Sequence, residues 1–86
     1  MKTFIKYSAD WCHPCKQMAP IFEELEKEFP SINFIEIDID KKSDATRLAG
    51  VMGVPTFILE EDGKETGRLV GATTKEKLVE LIIKPA

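Results

Sequence analysis

The chain has 86 residues, 43% of them hydrophobic, enough for one modest core and too few for two. Its 15 acidic residues against 12 basic ones give a net charge of -3. That balance argues against nucleic acid as the main partner and against an anionic membrane surface, both of which favour a basic surplus. No apolar run approaches the ~20 residues of a membrane span. The opening Met1-Lys2-Thr3-Phe4-Ile5-Lys6 holds no apolar stretch of signal-peptide length. The expectation is a single cytoplasmic domain over residues 1–86.

Phe4-Ile5-Lys6-Tyr7 is short, aromatic and β-branched and predicts a strand that ends at Ser8-Ala9-Asp10. A helix follows: Met18, Ile21, Phe22, Leu25 and Phe29 form one apolar stripe, with acidic residues and Lys27 opposite. Pro14 suits its first turn, Pro20 strains its interior and Pro30 ends it. Ile32–Asp38 alternates apolar with polar residues as a second strand. Ser43 is placed to cap a short helix through Leu48, with Gly50 beyond its end. Thr56–Leu59 predicts a third strand, Asp62-Gly63 a hairpin turn, and Arg68–Val70 an antiparallel fourth strand. Thr73 and Glu76 match a capping box for a last helix with Leu78, Val79, Leu81, Ile82 and Ile83 on its apolar face. The order βαβαββα defines an α/β fold, a mixed four-stranded sheet flanked by helices on both faces.

Cys12 and Cys15 are the only cysteines. A bridge across so short a loop stabilises little by chain entropy, and one pair with one histidine falls short of a four-ligand zinc site. A lone C-x-x-C in a reducing compartment points instead to redox catalysis. The run Trp11-Cys12-His13-Pro14-Cys15-Lys16 falls where a strand gives way to a helix. Unpaired N–H groups at the helix start favour a Cys12 thiolate, the species that attacks a disulfide. Cys15, one turn on, lies on the same side and resolves the mixed disulfide. It is expected to be the more buried of the two. Asp38, Asp40 and Asp44 lack calcium-loop spacing, so no metal site is expected.

These residues resemble the thioredoxin family. The resemblance rests on W-C-x-P-C-K, on Pro20 five residues after the second cysteine, on Val54-Pro55-Thr56 and on Gly71, and it covers roughly residues 3–83. It implies a cis Val54–Pro55 peptide beside the disulfide. It also implies substrate peptides paired with the Val54 backbone, in a groove bordered by Trp11, Gly53, Gly71 and Ala72. The redox group is then the Cys pair itself, with no bound cofactor. The implied partners are disulfide-containing proteins and a thioredoxin-reductase-like flavoprotein, and the chain is expected to be a monomer.

Three departures from the family stand out. The strand carrying the motif starts at residue 3, whereas full-length thioredoxins have a strand and a helix before it; this leaves Ile32–Asp38 as an edge and resembles glutaredoxin compactness. His13-Pro14 replaces the commoner Gly-Pro, and a protonated His13 would stabilise the thiolate and make the couple more oxidising. Lys6 stands where the family carries a buried Asp, and Glu36 where it carries a Lys on the neighbouring strand. That charge-swapped pair is expected to tune Cys15, unless Lys6 snorkels to solvent. Two other functions compete with protein-disulfide reduction: a glutathione-dependent, glutaredoxin-like reductase, and a binding subunit that needs no redox turnover. Trp-Cys-x-Pro-Cys weighs against the first.

Overall fold

The computed structural model describes residues 1–84; the last two residues of the expected 1–86 domain lie outside the described part. The elements run β1 (Lys2–Ser8), α1 (His13–Glu28), β2 (Asn33–Asp38), α2 (Ser43–Leu48), β3 (Thr56–Glu61), β4 (Lys64–Val70) and α3 (Lys75–Ile83). The sheet order is β2-β1-β3-β4. β1 runs parallel to β2 and antiparallel to β3, and β3 runs antiparallel to β4. The mixed four-stranded sheet and the βαβαββα order follow the pattern of the sequence, with β2 at an edge.

The pleat sorts β1 onto two faces. Phe4 joins Met18, Phe22 and Leu25 of α1, Phe57 and Leu59 of β3, and Leu78 and Ile82 of α3 in the larger core. Its ring stacks on Phe22 and Phe57, each centroid 6.0 Å away, and meets Phe34 edge-on. Ile5 and Tyr7 point the other way, to a smaller core with Ile58, Ile37, Ile39, Ala49 and Val51. That second face is covered thinly, because no residue of α2 is itself buried.

Local chemistry explains most of the element boundaries. Asp62 and Gly63 both adopt positive φ, 53° and 85°, as a two-residue turn between right-twisted strands requires. α2 ends on Gly50 at φ 69°, where the Gly50 and Val51 amides donate back to the Arg47 and Thr46 carbonyls. Pro20 lies inside α1, where it removes one intrahelical donor.

Two capping assignments and one face differ from expectation. Lys42, not Ser43, occupies the cap of α2, and no side chain caps it; Ser43 is already helical. The cap of α3 is Thr74, whose hydroxyl accepts from the Lys77 amide at 3.2 Å. The helix starts one residue later than a Thr73–Glu76 box demands, so Glu76 falls in the second helical position and cannot reach back to the cap. Ile83 is exposed, since the core face of α3 is set by Leu78 and Ile82, four residues apart.

Candidate active site

β1 delivers the chain to a tight turn in which the Cys12 amide donates to the Ala9 carbonyl at 3.1 Å. Cys12 then takes extended backbone angles and serves as the cap of α1. Its Sγ accepts from the Cys15 amide at 3.2 Å, so the sulfur occupies the place a serine or aspartate oxygen takes in ordinary caps. His13 and Pro14 open the helix, where the missing proline donor is harmless. Cys12 and Cys15 are joined by a disulfide, their Cα atoms 5.3 Å apart. Both are buried, at 4% and 2% exposure, so the expected contrast in depth is slight. Ala9, Ile39 and Val54 pack around them.

The 53–55 segment leads into β3, whose first residue, Thr56, pairs with Tyr7 at the end of β1, so it lies beside the cysteine turn. Val54 is half-buried against the cysteines, and the Val54–Pro55 peptide bond is cis. The Thr56 hydroxyl donates to the Gly53 carbonyl at 2.6 Å. Gly71, at φ 93°, donates its amide to the Pro55 carbonyl at 2.7 Å, which brings the end of β4 to the same rim. Gly53 and the neighbouring Ala72 are exposed. Trp11 is 67% exposed, and its indole N–H donates to Asp40 at 2.9 Å. Sequence reasoning weighed Asp40 only as a metal ligand; no spacing signal links residues 11 and 40, which the fold alone brings together.

Behind Cys15 lies the Lys6–Glu36 pair. The strand register sets these residues opposite each other. Lys6 is 1% exposed and does not snorkel: its ammonium donates to the Cys15 carbonyl at 2.9 Å and stands 3.4 Å from Glu36. Glu36 is half-exposed and also accepts from the Ser8 hydroxyl at 3.0 Å. A pocket of about 130 Å³ lined by Lys6, Ser8, Cys15, Lys16, Ala19 and Glu36 leads from this carboxylate to the resolving cysteine. His13 is less integrated. It is exposed, and its ring nitrogen faces the Gln17 amide at 3.4 Å rather than either sulfur.

A disulfide across the first turn of a helix, packed against Val54 just before a cis proline at the end of a mixed sheet, defines the class of thiol–disulfide oxidoreductases. The family model for thioredoxin matches residues 1–84. A thioredoxin from Chlamydia muridarum is 41% identical over 80 residues, 93% of this chain and 78% of the relative. A thioredoxin from rice, Oryza sativa subsp. japonica, is 42% identical over 72 residues; the match covers 84% of this chain and 52% of that protein. The X-ray structure of Fasciola hepatica thioredoxin superposes with a TM-score of 0.89 at 38% identity, covering 94% of this chain and 77% of that one. The chain belongs to the thioredoxin family. Among the described residues no helix is long and apolar enough to cross a membrane.

Proposed function

We propose that this protein reduces or exchanges disulfides in other proteins by reversible opening of the Cys12–Cys15 bond. The observation that carries this reading is the place of the Cys12 sulfur, at the start of α1, accepting the Cys15 amide. That site favours the anion over the thiol. In the dithiol form the Cys12 thiolate attacks one sulfur of a substrate disulfide and releases the other as a thiolate, which takes up a proton. The Cys15 thiol then loses its proton and attacks Cys12 Sγ. The substrate leaves as a dithiol, and the protein retains the Cys12–Cys15 disulfide. Two electrons pass to the substrate in each turnover, so no bound cofactor is needed.

Each remaining site residue has a role in this scheme. The Val54 backbone, fixed by Pro55, pairs with the substrate chain; Trp11, Gly53, Gly71 and Ala72 border the groove. Lys6 holds positive charge beside Cys15, and Glu36 takes the Cys15 proton through water, for which the pocket has room. Pro14 holds the first turn, and His13 adjusts the couple when protonated. The partners are disulfide-containing proteins and, as electron donor, a flavoprotein of the thioredoxin-reductase kind. The working form is a monomeric single domain in the cytoplasm, passing electrons between the two.

Cys15→Ser tests the scheme directly. It removes the resolving thiol and should trap substrates as mixed disulfides on Cys12, whereas Cys12→Ser should trap none. Titration in graded redox buffers, read by Trp11 fluorescence, supplies the direction. A potential near the about -270 mV of typical thioredoxins marks a reductant, and one about 40 mV more positive marks an exchanger tuned by His13 and Lys6. Absence of a two-electron transition would leave only a binding role.

A further inference from the structure

We propose that Arg68 is a positioning residue for substrate binding: its guanidinium fixes the backbone at the end of α2 that leads to Val54. The proposal rests on the reading that Val54 pairs with the substrate chain.

The segment between α2 and β3 has little hold of its own. α2 is six residues long, buries no side chain and lacks a side-chain cap. Leu48 and Met52 are both exposed, Met52 at 99%. Only Ala49 and Val51 reach the second core. Arg68 supplies the missing attachment. It sits on β4 opposite Ile58, so the pleat turns it toward the face that carries α2. Its Nη2 donates to the Ala49 carbonyl at 2.7 Å and its Nη1 to the Gly50 carbonyl at 3.4 Å. These carbonyls lie at a helix C-terminus, where partial negative charge collects and a cation is favoured. Glu65 aims the fork from below, accepting from Nε at 2.6 Å and from Nη2 at 2.7 Å. Beyond Gly50 the Val51 amide closes on the Thr46 carbonyl, and the Thr56 hydroxyl holds the Gly53 carbonyl. Residues 51–53 are thus pinned at both ends, by Arg68 through α2 and by Thr56 through β3. A lysine, with a single compact ammonium, cannot hold the carboxylate and both carbonyls in one plane.

The test compares wild type, Arg68→Met, Arg68→Lys and Val54→Asp with dithiothreitol as reductant, on insulin and on a small aromatic disulfide that has no peptide backbone. Arg68→Met should raise KM for insulin about tenfold, the scale of losing hydrogen bonds from a charged donor, with kcat within about twofold. Turnover of the small disulfide should hold, and Arg68→Lys should recover part of the KM. Glu65→Gln, which leaves the guanidinium in place but unaimed, should give a smaller rise in the same direction and serves if Arg68→Met folds poorly. Equal losses on both substrates would mark a purely structural residue and overturn the proposal. So would an unchanged insulin KM for Arg68→Met and Glu65→Gln while Val54→Asp raises it. An insulin KM that Val54→Asp also leaves unchanged would remove the groove reading itself, and the proposal with it.

Discussion

The Lys6 ammonium donates to the carbonyl oxygen of Cys15 from a position with almost no solvent contact. Strand register causes this. Lys6 shares a face with Phe4, and that face carries α1, so its side chain runs under the helix past Phe22 to the first turn. A buried cation beside a thiol favours the thiolate. Lys6→Met keeps an unbranched, apolar side chain and drops the charge. In the reduced protein the Cys15 thiol should titrate higher, resolution should slow, and the potential should become more negative. Stability should change little, because Glu36 retains solvent and Ser8. Thiolate absorbance against pH reads the first effect, and an unchanged Cys15 titration would remove the tuning role.

Glu36 is placed to accept the proton that Cys15 must lose. Glu36→Gln preserves shape and the Ser8 contact but not the basicity. The resolving step, followed by Trp11 fluorescence after mixing with a disulfide, should slow at least about tenfold at neutral pH, the low end for a lost general base. Attack by Cys12 should keep its rate. Equal slowing of both steps would point to a structural effect instead.

Phe4 is the centre of the larger core, stacked between Phe22 and Phe57. Phe4→Ala should destabilise the fold by about 3–5 kcal/mol. Against the ~5–15 kcal/mol available to a domain, that is a large share. Urea unfolding should show a lower midpoint with little change in slope.

The caps of α3 separate two adjacent threonines. Thr74→Ala removes the hydroxyl that accepts from Lys77 and should lower stability by about 1 kcal/mol. Thr73→Ala, at a half-buried side chain that caps nothing, should cost less than Thr74→Ala. Thermal midpoints of the two variants decide the comparison.

Glu65 gives a pH signature. The hydrogen bond from Arg68, partly opposed by burial, holds its carboxyl below the ordinary 4.5. A lowered carboxyl pKa contributes stability that is present above the unfolded value and lost as pH falls through the folded one. The stability difference between wild type and Glu65→Gln should therefore be full at neutral pH and vanish in acid below the carboxylate range. A difference that persists in strong acid would mean that the charge of Glu65 is not its source.

How much the sequence disclosed varies with the range of the interaction involved. Periodicity marked α1, β2 and α3, while residue type, cap residues and the turn marked β1, α2, β3 and β4; all of these signals lie within a few residues of the element they describe. Asp62-Gly63 marked the hairpin, because only such residues accept two positive φ angles in succession. The capping box failed at Thr73 because a cap needs only a hydroxyl in the right place: Thr74 offers one although Lys77, not a Glu, stands three residues on, and the helix that buries Leu78 and Ile82 starts after it.

The redox pair was also legible, since three-residue spacing at a helix start is local chemistry. Strand parity suggested that Lys6 faces Glu36, but only the tertiary structure set the Lys6 ammonium on the Cys15 carbonyl, bound Trp11 to Asp40, and tied Arg68 to the end of α2. Each of those contacts joins different elements. Local sequence fixes where a side chain leaves its own backbone, while the packing of one element on another decides what it meets.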